Sequence, residues 1–523
     1  MVTLEPVFVE AASSNPWEYF TVPGFEVISH CPDDFNATYA RALERATAAR
    51  AALLPGDFWG EMPTPMKIVL YNRPLELEAD FLKSKPIDLT WSAGDPALLG
   101  SGSVRQAYPT LVGDGDTYIS CGNYYNLLTD GQGLYLDPDS ELRLAGRVPQ
   151  FPGWFEAGLE GRFGLFRDRR IESDTVVLPN AVWISGAETA ALQKDPRHAR
   201  QLLPLASIFG GYAPEGKGLA WQAQAALVVR WGLYAREADG SDHRKAFLDF
   251  VRQSAREPVT EAMFRAFLGM GYAEAQARLD AYLPAAVAAP IRVPLGALDA
   301  RPVAMREASP VDVARIIGDW GRLEGRSIGL QGLSYQQECL DQSEKLFERI
   351  QARGEGDPMF LAAFGLYALQ TGDTARAREA LETATGAGIV RPRAYLELAR
   401  LRLEDALPSV GQGIGDLSEK DYAEIVRLVT VARLQLPSLI GCYQTLAKAM
   451  EHAPHKPTRL EMADLVAGLR LFPRNAPLAY RVATLYKGLG DPEEAKAVID
   501  RALAFADTDD ARTRLTAFVV RDP

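Results

Sequence analysis

Two stretches in the last third of the chain repeat one order of apolar, small and turn residues, and this repetition restricts the fold more than any other feature. The first stretch places them at Leu361, Phe364, Gly365, Gly372, Asp373, Ala377, Leu381 and Ala384. The second places them at Ala479, Val482, Ala483, Tyr486, Gly490, Asp491, Ala495, Ile499 and Ala502. Apolar residues three and four apart predict amphipathic helices, and the Gly-Asp pair predicts a tight turn between them. Each stretch is therefore predicted to be a hairpin of two helices, which needs neighbouring hairpins to bury its apolar face.

The spacing of these hairpins resembles that of tetratricopeptide repeats, which are helical hairpins of about 34 residues. A further half-repeat begins at Tyr395, 34 residues after Leu361. Helices predicted around 439–450 and 462–471 fill the remaining interval less regularly. We expect an all-α tetratricopeptide-like array over residues 336–523. A generic helical bundle is the alternative, because alanine-rich amphipathic helices are common.

The resemblance implies that the array binds a protein or a peptide in a groove lined by the first helix of each hairpin. Tyr367, Arg400 and Tyr486 lie on predicted first helices and are the predicted partner-binding residues. A nucleic-acid partner is not expected, because a net charge of −12 and a pI near 5.2 oppose binding to phosphates.

The distribution of tryptophan and proline divides the chain. All eight tryptophans lie in the first 320 residues, and prolines at 290, 294, 302 and 310 punctuate the passage that follows residue 288. A chain of 523 residues is also too long for one ordinary domain. We predict a front domain over 1–287, a Pro/Gly-rich connector over 288–335 and the repeat array over 336–523.

The front domain has the pattern of an α+β fold. Apolar runs predict strands at 7–9, 25–28 and 66–71, and apolar residues at helical spacing predict a helix over 33–54. After residue 155 the helical patterns lie at 199–209, 221–234, 243–253, 261–268 and 273–282. We therefore expect a mixed sheet followed by helices.

The passage Phe-Pro-Gly-Trp-Phe-Glu-Ala-Gly-Leu-Glu at 151–160 resembles the Pro-x-Trp-(Leu/Phe)-x-Glu-Gly-(Leu/Ile)-Ala signature of peptidase-MA-like gluzincins, a group of zinc metallopeptidases. In that family an α/β subdomain precedes the signature and a helix like 221–230 follows it. A His-Glu-x-x-His helix also comes shortly before the signature, whose glutamate is the third zinc ligand. The resemblance covers residues 1–287 and implies a gluzincin-like fold there.

This chain lacks the zinc ligands that the resemblance calls for. Ala157 stands at the position of the signature glutamate, and no histidine lies between His30 and His198. A catalytic zinc needs about three protein ligands and a general base. We predict no catalytic residue, metal or cofactor. The predicted degenerate site keeps its packing residues, which are Trp154, Gly158, Leu159, Trp221 and Gln224.

One alternative retains a metal ion. Glu156 and Glu160 are four apart and would share one helix face, while Asp137 and Glu141 would have to replace the histidines. An all-carboxylate set favours Mg²⁺ or Ca²⁺ over zinc. The competing interpretation is two solvated glutamates on an amphipathic helix.

The cysteines and the N-terminal residues limit which compartments and which chemistry are expected. Four cysteines exclude a disulfide scaffold, and His30 beside Cys31 is interpreted as a structural pair at a strand end. Residues 1–14 lack the basic and apolar regions of a signal peptide, and no apolar run is long enough to span a membrane. We expect a soluble protein. Gluzincin-like proteins are often exported, so the compartment stays open.

The sequence favours a non-catalytic pseudo-metallopeptidase whose repeats make it a binding or scaffold protein. Two other hypotheses are kept. Under the first, the chain is an active metal-dependent hydrolase with a non-standard carboxylate site. Under the second, it is an assembly factor whose front domain forms oligomers.

Overall fold

A computed structural model describes residues 16–59, 64–71, 110–123, 148–167, 169–172, 174–182, 202–210, 218–236, 240–296, 303–330, 336–354, 356–407, 417–506 and 509–520. These residues are mostly helical and include two sheets. No helix among them has the length and apolar composition that crossing a bilayer requires. The strand predicted at 7–9 lies outside the described residues.

The described residues contain nine strands: β1 Glu18–Val22, β2 Phe25–Ser29, β3 Met66–Tyr71, β4 Thr110–Gly113, β5 Tyr118–Asn123, β6 Arg170–Glu172, β7 Thr175–Leu178, β8 Ile291–Pro294 and β9 Met305–Glu307. Their first helices are α1 Asp33–Leu53, α2 Gly153–Glu160, α3 Leu205–Phe209, α4 Gly218–Tyr234, α5 Arg244–Ser254, α6 Glu261–Leu268, α7 Tyr272–Ala288, α8 Pro310–Val313 and α9 Asp319–Leu330. The later helices are α10 Gln336–Gln351, α11 Pro358–Thr371, α12 Thr374–Gly386, α13 Pro392–Ala406, α14 Glu419–Leu434, α15 Ile440–Glu451, α16 Arg459–Leu471, α17 Ala476–Leu489, α18 Pro492–Phe505 and α19 Asp509–Val520. The predicted strand at 66–71 and the predicted helical hairpins are confirmed.

The chain divides into two compact units, and each combines segments that are distant in the sequence. The first unit comprises Met1–Thr47, Met62–Pro138 and Leu298–Leu398. The second unit comprises Ala48–Glu61, Asp139–Ala297 and Ala399–Pro523. Each unit thus includes residues of the predicted front domain and of the predicted array, and the bounds at 287 and 335 stay a prediction.

The first unit is built on a six-stranded mixed sheet with the order β4-β5-β3-β2-β1-β9. β2, β3 and β5 are parallel, and the remaining neighbours pair antiparallel. α1 connects the parallel strands β2 and β3, which is the usual way to join such a pair. The mixed sheet expected in the front half is therefore present.

Alternate residues of each strand point to opposite faces of the sheet. Both faces are buried, because each packs against helices. Ile68 of β3 packs with Tyr39 of α1 on one face. Val69 packs with Trp320 of α9 on the other face. Lys67 shares the face of Val69, so a charged side chain lies under the helices that cover the sheet.

The predicted connector contains regular structure that completes the first unit. β9 adds to the sheet edge beside β1. Ser309 caps α8, since its hydroxyl accepts a hydrogen bond from Asp312 N at 3.1 Å. α9 then packs closely on α10, where a Cβ on Gly325 would lie 3.2 Å from Leu340 Cδ2. This segment therefore belongs to the core of the unit.

The hairpin of α11 and α12 follows from its glycine and aspartate residues. Gly372 ends α11 with a φ of 88°, a conformation that suits glycine. Asp373 then accepts a hydrogen bond from Arg376 N at 3.1 Å and caps α12. Gly365 lets the two helices approach, because a Cβ there would lie 2.8 Å from Leu381 Cγ.

The second unit has a large apolar core around α4, to which α2, α5, α6 and α7 contribute. A small antiparallel sheet of β6, β7 and β8 belongs to the same unit. The hairpin of α17 and α18 has its turn at Gly490, with a φ of 86°. The turn between α16 and α17 contacts a front-half residue of this unit, since Arg474 Nη1 donates to Phe151 O at 2.9 Å.

Candidate functional site

The predicted degenerate site is a closely packed contact between α2 and α4. Trp154 is fully buried, and its ring meets that of Phe209 edge to face at a centroid distance of 5.0 Å. Gly158 faces α4, where a Cβ would lie 2.7 Å from Ala225 O. Both positions therefore have a packing role here, which accounts for a tryptophan and a glycine at this spacing.

Trp221 and Gln224 fix a neighbouring loop to α4. The Gln224 amide accepts from Leu203 N at 2.6 Å and donates to Leu203 O at 2.7 Å. Trp221 Nε1 donates to Ser207 O at 3.3 Å. Because Gln224 is fully buried and both ends of its amide are bonded, its side chain stabilises the fold here.

The carboxylates of α2 have protein neighbours. Glu160 lies 3.6 Å from Arg169 Nη1, and Ala157 packs against the core. Glu156 is half-buried. Within the described ranges, no three His, Cys, Asp or Glu side chains lie close enough to hold a metal ion. Asp137 and Glu141 lie outside those ranges, so the carboxylate site is not tested.

His30 and Cys31 lie at the end of β2 in a buried turn. The His30 ring stacks on Trp17 at a centroid distance of 3.6 Å, and burial lowers its pKa to about 4. Ser29 Oγ donates to Asn36 Oδ1 at 2.7 Å and accepts from Cys31 N at 3.0 Å. The turn is a hydrogen-bonded structural feature, which agrees with the interpretation from sequence. His198 lies outside the described residues.

Polar side chains connect three successive first helices in the second unit. Arg400 of α13 lies 3.5 Å from Thr445 of α15, measured from Nε to Oγ1. Gln444 of α15 lies 3.4 Å from Asn475, which caps α17. Arg481 of α17 then pairs with Glu451 of α15 at 2.5 Å. We call the half-exposed residues Arg400, Gln444, Glu451, Arg481 and the exposed Tyr480 and Thr484 the first-helix face.

The other two predicted groove residues lie elsewhere. Tyr367 is only 5% exposed, because its ring packs against Phe347 of α10 at a centroid distance of 5.3 Å. Burial raises its pKa to about 12, and the nearby Glu344 adds to this effect. Tyr486 is half-buried close to Glu494 of α18, at the side of the hairpin turn. Their role in binding stays a prediction, whereas Tyr480 is an exposed tyrosine that the sequence analysis missed.

A buried group of charged residues in the first unit was also missed. This ionic cluster consists of Lys67, Asp114, Asp116, Asp319, Arg322, Arg391 and Arg393. Asp319 accepts from Arg322 at 2.7 Å and from Arg391 at 2.7 Å, and Arg322 also donates to Asp114 at 2.7 Å. Arg393 N at the start of α13 donates to Asp116 Oδ2 at 2.6 Å. The cluster therefore ties the β4–β5 turn to α9 and α13.

Burial and the neighbouring charges shift the pKa values of the cluster residues, some upward and some downward. Burial opposes ionisation of Asp114, but Arg322 and the neighbouring arginines outweigh it and hold the pKa of Asp114 well below its usual range. Burial and the adjacent Asp114 raise the pKa of Asp116 to about 7. Burial, with repulsion from Arg391, lowers the pKa of Lys67 to about 8. The sequence contains one signal of this cluster: a lysine lies inside the apolar strand Met-Lys-Ile-Val-Leu-Tyr.

Comparisons with known proteins do not assign the chain to a family. No family model matches it, and the search of curated proteins finds no match. Among solved structures, MamA is 13% identical, covers 37% of this chain and 90% of its own, and gives a TM-score of 0.28. A thermophilic TPR protein of Thermus thermophilus is 20% identical, covers 38% of this chain and 99% of its own, and gives 0.27. Because these TM-scores are low, the repeat assignment rests on the hairpins of this chain, and the gluzincin resemblance stays a prediction.

Proposed function

We propose that the chain is a non-catalytic scaffold that holds a protein or peptide partner on its helical repeats. The observation that carries this proposal is the first-helix face. Its polar side chains join α13, α15 and α17 while they stay half-exposed, and Tyr480 and Thr484 are exposed beside them. A surface with an aromatic ring and both signs of charge suits a peptide, whose backbone and side chains offer matching groups.

We further propose that the front part is a degenerate metallopeptidase that serves as a packing platform. Ala157 at the ligand position offers no metal-binding atom. Gln224 and Trp221 are engaged in hydrogen bonds to the backbone. These features favour a structural role over hydrolysis.

Metal analysis tests the non-catalytic part of the proposal. The purified full chain is expected to carry no stoichiometric zinc, magnesium or calcium, and to cleave none of a broad panel of peptides. One equivalent of tightly held metal together with chelator-sensitive cleavage would establish the hydrolase hypothesis instead.

Two threonine variants test the binding part. Thr484 on the first-helix face and Thr383 on α12 are both exposed, and each donates to the carbonyl four residues earlier at 2.9 Å. Thr484→Arg is expected to reduce quantitative capture of a cross-linked partner by about tenfold, because a long charged side chain blocks contact at the centre of an interface. Thr383→Arg is the matched control and is expected to leave capture unchanged. Equal effects of the two variants would contradict binding at this face.

A further inference from the structure

Two cationic side chains at the centre of the ionic cluster have donors without an acceptor. Lys67 and Arg391 are each 1% exposed. Lys67 Nζ, Arg391 Nε and Arg391 Nη1 are buried and have no hydrogen-bond acceptor among the described residues. In the described part of the chain, the carboxylate oxygen that pairs with Lys67 Nζ is Asp319 Oδ2 at 4.0 Å, which is beyond hydrogen-bond distance. Buried donors of this kind are rarely left unsatisfied in a stable fold.

Among the described residues, the positive charges that pair around these donors outnumber the carboxylates they share. Lys67, Arg322 and Arg391 share two carboxylates, those of Asp319 and Asp114. Arg393 has its own partner in Glu397 at 2.9 Å.

Asp116 offsets only part of the surplus charge. Its carboxylate caps α13, and its pKa near 7 leaves it partly protonated at neutral pH. Repulsion from Arg391 also lowers the pKa of Lys67. Lys67 and Arg391 therefore lie in surroundings that favour a negative ion.

We propose that a small inorganic anion of the size of chloride binds between Lys67 Nζ and one of the two Arg391 nitrogens that have no acceptor, Nε or Nη1. Such an ion accepts hydrogen bonds from both groups and neutralises the surplus positive charge, which a water molecule does not do. The surrounding side chains of Asp319 and Arg322 are buried.

The binding site joins two distant parts of the first unit. Lys67 lies in β3, and Arg391 directly precedes α13. An anion shared by the two side chains therefore stabilises the contact between the sheet and the start of a repeat helix. This inference is independent of the proposed partner-binding face.

Chloride dependence of unfolding is the first test. The melting temperature of the full chain is measured in sodium chloride mixed with sodium gluconate at constant ionic strength. Because a ligand that binds only the folded state stabilises it, we expect a saturable rise of a few degrees with chloride. Lys67→Met is expected to abolish this rise, and its apolar replacement keeps a similar volume. Lys245→Met, at a side chain that is 92% exposed, is the matched control and should retain it.

Bromide replaces chloride for the second test, which does not depend on a variant. Crystals of the full chain grown or soaked in sodium bromide are expected to give an anomalous peak within hydrogen-bond distance of Lys67 Nζ and Arg391. A melting temperature independent of chloride overturns the proposal, and so does density for a water molecule without an anomalous signal.

Discussion

At Asp116, one effect favours the charged carboxylate and another favours the protonated form. It lies in the β4–β5 turn two residues after Asp114, where Gly115 has a φ of 101°. Its carboxylate caps α13, and helix N-termini favour negative charge there. Burial and the charge of Asp114 nevertheless favour the protonated form. The balance of these effects places the pKa of Asp116 in the neutral range.

This pKa predicts a measurable pH dependence of stability. The pKa of Asp116 is about 7 in the fold against 3.8 as the reference, so the folded state binds the proton more tightly. The contribution of Asp116 is therefore fully present below about pH 4 and is lost as the pH rises to 7. Asp116→Asn mimics the protonated form and can still cap α13. The free energy of unfolding of the wild type minus that of Asp116→Asn should fall between pH 4 and pH 8.

Urea unfolding at several pH values measures this difference. A difference that stays constant from pH 4 to pH 8 would mean that Asp116 titrates near its ordinary pKa. Asp510→Asn, on an exposed side chain of α19, serves as a control that is expected to show no comparable trend.

At the scale of the element, the helical hairpins depend on left-handed glycines at their turns. Gly372 and Gly490 both follow a first helix and both have a positive φ. Side chains other than glycine are strained in this conformation. The Gly-Asp pair is therefore a strong local signal, and it located both turns correctly from the sequence.

Gly490→Ala is expected to lower the free energy of unfolding by about 1 kcal/mol, because alanine is strained at this φ. Gly488→Ala is the matched control in α17, the helix that Gly490 ends, and the added methyl group there meets no atom within 4 Å. Replacing a helical glycine with alanine is expected to leave stability unchanged or to raise it slightly. Chemical denaturation of the two variants compares them directly, and equal losses would contradict the role of the turn conformation.

At the scale of the whole molecule, the repeat helices of each unit contact parts of the chain that precede residue 336. In the first unit, Phe347 of α10 packs over Gly318, and Arg391 pairs with Asp319. In the second unit, Arg501 Nη2 donates to Arg256 O at 2.6 Å. Sequence composition places a boundary near residue 335, but these contacts cross it inside each unit.

A fragment of residues 336–523 tests this interdependence. It loses α9 and the sheet, so Phe347 becomes exposed and Arg391 loses its partner. We expect lower helicity per residue than in the full chain and no cooperative thermal transition, as followed by circular dichroism. A fragment that begins at residue 303 regains the Asp319–Arg391 pair and should be more helical. If 336–523 melts cooperatively at the temperature of the full chain, the array is an independent domain.

The sequence by itself determined the local elements. Helix periodicity and the Gly-Asp pairs located the hairpins. These features are readable because they depend on residues close together in the chain. Only the tertiary structure decided that Tyr367 is buried, that β9 joins the sheet and that Lys67 lies beside Arg391. The last two contacts join residues hundreds of positions apart, and the energy of all three depends on burial, which no local pattern records.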